Sequence, residues 1–148
     1  MQYGGFSLTR MLDAPRERAY AAWTELEHRR HWFAGPAWTE VERSLDLRPG
    51  GTEVAHGRFE NGPDVIYTAR FHLIEPNRRL IYAFDMHVGG VLFSVSLAGV
   101  DFADLAHGTE LIYSEQGLFL IGDYDAAARA AGTEGLLDKF AAYVQSMR

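Results

Sequence analysis

Among the side chains able to do chemistry, Glu115 and its neighbours come first. Alternation puts Glu115 on the same strand face as Leu111 and Tyr113, a mostly apolar side. A carboxylate enclosed by apolar groups can give or take a proton. With Tyr113 and His56 it would make a proton-transfer site. Tyr67 and Tyr82 fall on comparable faces of neighbouring segments, and buried hydroxyls need partners. Backbone carbonyls of a packed core would satisfy them, and so would a ligand or water in a cavity.

Other chemistries find less support. His28 and His31 share a helical face at (i, i+3), but no third ligand is placed beside them. HExxH spacing is absent, and so is cysteine, so no metal is expected. His56, His72, His87 and His107 read as surface or pairing residues on strands and turns. No GxSxG elbow occurs, and Gly50-Gly51 and Gly89-Gly90 read as hairpin turns rather than phosphate or dinucleotide loops. No cofactor is therefore expected, and Trp23, Trp32 and Trp38 read as core and mouth packing.

The elements that must hold these residues follow from periodicity. Phe6, Leu8, Arg10 and Leu12 alternate with Ser7, Thr9, Met11 and Asp13, as in a strand with one mainly apolar face. Asp13-Ala14-Pro15 opens a helix, with Asp13 near the N-cap and Ala19, Tyr20 and Trp23 on the buried side. A second short helix spans about 25–32. Strands follow near 38–47, 52–60, 64–75, 79–88, 91–102 and 109–120, joined by turns short enough for antiparallel hairpins. A long helix from Asp123 to Met147 closes the chain, with Asp123 and Asp125 as its acidic start. This is an α+β order: a seven-stranded antiparallel sheet, two short helices between strands 1 and 2, and one long helix to cover the apolar face.

Leu137, Phe140, Ala141, Val144 and Met147 give the last helix a bulky stripe. Towards its start the stripe shrinks to Thr133, Ala130 and Ala126, with Gly132 and Gly135 close by. Each mid-helix glycine costs about 1 kcal/mol against alanine, so two within a turn call for a reason. That half either roofs a cavity or packs its backbone closely against the sheet. In the first case Tyr67, Tyr82, Phe84, Phe93, Tyr113 and Glu115 face the space from the strands, together with His56. Ala130, Thr133 and Leu137 roof it, and Trp32 and Phe33 lie near the mouth. The inner face is read as Tyr67, Ala69 and Phe71; Leu80, Tyr82, Phe84 and Met86; Val91, Phe93, Val95 and Leu97; then Leu111, Tyr113 and Glu115. Thr68, Arg70, His72, Asp85, His87, Ser94, Ser96, Glu110 and Ser114 are read as facing solvent.

Composition narrows the function. A chain of 148 residues, 47% of them hydrophobic, fits a single domain over 1–148 with a core of its own. A net charge of −6 argues against nonspecific nucleic-acid binding. No apolar run reaches membrane-spanning length, and the N-terminus lacks a basic region followed by an apolar run, so a cytoplasmic location is expected. The cationic residues are almost all arginine, with Lys139 the one lysine, which reads as compositional bias. A monomer or homodimer is expected.

Taken together, several segments resemble a known superfamily. Asp13-Ala14-Pro15-Arg16-Glu17-Arg18, Ala22-Trp23-Thr24 and Glu27-His28 lead to Trp32-Phe33-Ala34-Gly35-Pro36, an opening similar to that of START-like (SRPBCC, polyketide-cyclase/lipid-transport) proteins. Asp46-Leu47-Arg48-Pro49-Gly50-Gly51 resembles a hairpin signature of the branch named after the activator of a heat-shock chaperone's ATPase. Glu75-Pro76 with Arg79-Leu80, Gly108-Thr109-Glu110-Leu111 and Leu136-Leu137-Asp138-Lys139-Phe140 follow in the same order. The resemblance covers essentially the whole chain. It implies a helix-grip fold, a sheet curled around the last helix with a cavity between them. It also implies binding of a small apolar or aromatic molecule by a carrier, sensor or sequestering protein. A cyclase- or hydrolase-like enzyme using the same cavity, and a stress protein with a chaperone as partner, are the alternatives it carries. The full co-chaperone has an additional N-terminal domain, for which this length leaves no room. Gly132-Thr133 and Glu115 stand where the family often has an aromatic after the glycine and a histidine, so family pocket chemistry does not transfer to those two positions.

Overall fold

A computed structural model describes residues 1–35, 37–120 and 126–147, the last segment without the side chain of Ala126. The order is β1 (Gln2–Leu12), α1 (Arg16–Thr24), α2 (Leu26–Trp32), β2 (Trp38–Leu45), β3 (Thr52–Phe59), β4 (Asp64–Glu75), β5 (Arg79–Val88), β6 (Val91–Leu105), β7 (Gly108–Phe119) and α3 (Ala126–Ser146). Strands β2 to β7 form an antiparallel meander, and β1 pairs with β7 to give the sheet order β1-β7-β6-β5-β4-β3-β2. Gly89 and Gly90 both take positive φ (58° and 79°), the conformation a two-residue hairpin turn needs between β5 and β6. Among the described residues, no helix is long and apolar enough to cross a membrane.

The core lies between the sheet's inner face and the three helices. The stripe of α3 is buried as its periodicity requires: Leu137, Phe140 and Val144 are each at most 1% exposed. Phe140 meets the rings of Trp23 (5.1 Å) and Trp32 (4.8 Å) edge-on, the arrangement aromatic quadrupoles favour. Trp32 also donates its indole N–H to the Ala22 carbonyl at 2.9 Å, so α1 and α2 are locked together under the helix. The acidic start expected at Asp123 and Asp125 lies outside the described residues. For α1 the expected cap differs. Pro15 occupies the N-cap in an extended conformation with no side-chain cap, leaving Asp13 too far outside the helix to serve.

Strand β6 departs from the expected inner face. Ser94, Ser96, Ala98, Val100 and Phe102 point inward and are buried, whereas Val95 and Leu97 are exposed on the outer face; a register shift against β5 skips Phe93, and Val91 pairs with Val88, exposed at the end of the hairpin. The apolar residues of β6 occupy odd positions from Phe93 to Leu97 and even ones from Ala98 to Phe102, and a strand of period two cannot honour both. Pairing decides it. Val100 lies opposite Leu80 and Tyr113, and Phe102 opposite Leu111, all in the core. Ser94 and Ser96 then fall opposite Met86 and Phe84, whose bulk fills that part of the layer. Space there is tight, since a Cβ placed on Gly117 would lie 2.4 Å from the Ser96 hydroxyl oxygen.

Candidate functional site: a cavity beside the last helix

One row of the inner face runs from Arg43 on β2 through Ala55 on β3 and Tyr67 on β4 to Met86 on β5. Ala55 is the small member of that row, and a cavity of about 450 Å³ opens above it. Phe33, Ala34 and Gly35, where α2 runs out, form one wall. Trp38, Phe59 and Val65 form another, and Arg129, Gly132, Gly135, Leu136 and Lys139 of α3 complete it. A Cβ added at Gly132 or Gly135 would meet nothing within 4 Å, so this flank of the helix is not packed on the sheet. Gly57 is the opposite case. Its missing Cβ would fall 1.7 Å from the Trp38 indole, which lies flat on the β3 backbone and shapes the wall.

The polar groups inside are arranged around three arginines. Arg129 grips Glu115 with two hydrogen bonds, 2.9 and 3.1 Å, and the Tyr113 hydroxyl donates to the same carboxylate at 2.5 Å. Arg29 holds Glu53 in the same fork at 2.6 and 3.1 Å, under the rings of Trp32 and Phe33. Arg43 lies against Phe33 and Trp38, its guanidinium carbon 5.4 Å from each ring centre. Burial pushes the Tyr67 and Tyr113 hydroxyls well above their ordinary range, so both remain protonated at neutral pH. Burial also lowers the Arg43 guanidinium, an effect the nearby Arg29 charge reinforces.

Of the residues expected around a ligand, Phe33 and Tyr67 line the main cavity. Trp32, Phe33, Tyr67, Tyr82, Phe84, Tyr113, Thr133 and Leu137 surround a smaller space of about 30 Å³ between the sheet and the helix. The two spaces share Phe33, Tyr67, Arg129 and Leu136. Ala130 lines neither, because the open volume lies on the Gly132–Gly135–Lys139 flank rather than beneath the stripe. Glu115 points inward but lines neither space, its carboxylate taken up by Arg129 and Tyr113. His56 is on the opposite side of the sheet. Inner-face Ala55 and Gly57 flank His56, whose ring nitrogen meets Asp64 at 2.9 Å, while Phe93, at the register shift of β6, lines neither space. The expected Glu115–Tyr113–His56 grouping therefore does not form.

His28 and His31 both engage Tyr143, one by a 2.6 Å hydrogen bond and the other by stacking at 4.9 Å. Among the described residues, no three His, Cys, Asp or Glu side chains gather as a metal cluster would require.

Arg29, Arg43, Arg129 and Lys139 were not singled out by sequence reasoning as lining residues, and Trp38, read as core or mouth packing, stands in the cavity wall. The signals exist. Arg43 alternates in step with Leu45 and Leu47, and Arg129 precedes Thr133, Leu136 and Phe140 at helical spacing. An arginine in step with a core pattern is easily read as a solvated intruder.

The family model described as "Activator of Hsp90 ATPase homolog 1-like protein" matches residues 13–145. A protein from Rhizobium leguminosarum is 36% identical over 98% of this chain and 96% of its own, with a TM-score of 0.91. Mll3558 from Rhizobium loti is 33% identical over 95% of this chain and 96% of its own, with a TM-score of 0.85. An AHSA1-like protein from Aeromonas hydrophila shares the fold at 23% identity, over 97% of this chain and 93% of its own, with a TM-score of 0.78. No curated protein matches the chain.

Proposed function

This chain belongs to the Activator of Hsp90 ATPase homolog 1-like family, a START-like branch, and on that premise we propose that it binds a small apolar or aromatic molecule in the cavity beside α3. The protein would then act as a carrier, sensor or sequestering protein. The observation that carries this reading is the unfilled flank of α3. About 450 Å³ lies open beside Gly132 and Gly135, walled by Phe33, Trp38, Phe59, Tyr67 and Met86. A volume of that size suits a small organic ligand, and mostly apolar walls would drive its entry.

Turnover has less support. Both Glu115 oxygens are engaged and His56 lies across the sheet, so among the described residues no free acid–base pair faces the cavity. A chaperone partner rests on the family name, and a pull-down with an ATPase assay measures it separately.

The test is a titration with N-phenyl-1-naphthylamine, which fluoresces in apolar surroundings. The parent protein should bind it saturably, and Gly132→Leu, which puts a side chain into the open flank, should weaken binding at least tenfold without lowering the melting temperature. Absence of binding to the parent would overturn the reading. Native mass spectrometry of protein taken from its own host would then identify the natural occupant.

A further inference from the structure

Among the described residues, the buried charges on the inner side of the sheet do not cancel. Arg29, Arg43 and Arg129 all enter it, and two buried carboxylates, Glu53 and Glu115, meet them. Glu53 is held by Arg29 and Glu115 by Arg129, each through two hydrogen bonds. Arg43 is left over. Its side chain is 1% exposed, its Nη2 donates to the Phe33 carbonyl, and its Nε has no partner among the described residues. The nearest carboxylate, Glu40, is 3.8 Å from Nη1, beyond hydrogen-bond reach, and already accepts Arg30 Nε at 3.1 Å. A desolvated cation with an unused donor is costly unless an anion joins it.

That cation lines the cavity. Arg129 and Lys139 line it too, the latter donating to the Ala34 carbonyl, and no aspartate or glutamate is among the lining residues described. Apolar walls and a positive excess thus occur in one space. We infer that the ligand is an amphipathic organic monoanion, an apolar or aromatic body bearing one acid group that meets the guanidinium of Arg43. The planar fork of arginine suits a carboxylate or sulfonate, and the Phe33 and Trp38 rings against it fix its orientation. This rests on the proposed cavity binding and specifies its ligand class.

Two probes with the same rings separate the claims. 8-Anilinonaphthalene-1-sulfonate carries an anionic group that N-phenyl-1-naphthylamine lacks. The parent should bind the sulfonate at least tenfold more tightly than the neutral amine. Arg43→Met should reduce that preference to within twofold by weakening sulfonate binding. It should melt no lower than the parent, because an apolar chain replaces an underpaired cation. Arg43→Gln serves the same comparison should the methionine variant fail to fold. Equal affinity of the parent for both probes, or a preference that survives loss of Arg43, would overturn the anion inference while leaving the cavity reading intact. Binding of neither probe would overturn both.

Discussion

At the scale of single residues, arginine carries the electrostatics of this fold's interior. The excess of arginine over lysine reads in the sequence as composition alone. Yet Arg29 and Arg129 each use two nitrogens against one carboxylate, which a lysine ammonium cannot do. Glu115 accordingly changes meaning. In the sequence it is a lone carboxylate on an apolar face and a candidate acid–base group. In the fold it anchors Arg129. Glu115→Gln should therefore cost about 2–3 kcal/mol in chemical denaturation, because a charge-assisted pair loses one charge and a mostly buried guanidinium remains.

On the outer face, hydrogen bonds from Arg58 and then His56 hold the Asp64 carboxyl down to about 2. A group lowered on folding stabilises the protein above its ordinary range, and that contribution fades as pH falls towards 2. Arg58→Gln should move the Asp64 titration up towards the usual carboxylate range, read from its carboxyl carbon shift by NMR.

At the scale of elements, what could be read depended on how many constraints agreed. Helix α3 showed its bulky stripe because Leu137, Phe140 and Val144 repeat in register with one partner surface. Hairpins at Gly50, Asn61, Asn77 and Gly89 were marked by residues suited to positive φ. In β6 two patterns of opposite parity met in one strand, and only pairing with β5 and β7 chooses between them. The glycines of α3 could likewise mean a cavity or a tight contact, and the empty surroundings of their missing Cβ atoms decide it. Gly135→Ala should accordingly stabilise the protein by roughly 0.5–1 kcal/mol, since helix propensity improves and nothing is struck. A thermal melt rising by a few degrees checks this. A fall would mean that the flank closes in solution.

At the scale of the whole molecule, strand order and helix placement were readable, whereas the azimuth of the open space was not. The stripe points α3 at the sheet. How far the helix leans is set by Trp23 and Trp32 beneath Phe140, a contact among α1, α2 and α3 that no local pattern encodes. That packing leaves the vacant volume beside the helix, towards β2 and β3, instead of below Ala130. The three tryptophans consequently report on different events. Trp23 and Trp32 are at most 5% exposed and their emission follows unfolding, whereas Trp38 stands in the cavity wall beside Arg43. An arriving naphthyl ring displaces water from the Trp38 indole and should shift its emission to the blue. Trp38→Phe should therefore remove most of that shift on binding while Trp23 and Trp32 still report denaturation, which gives the protein a built-in optical readout of occupancy.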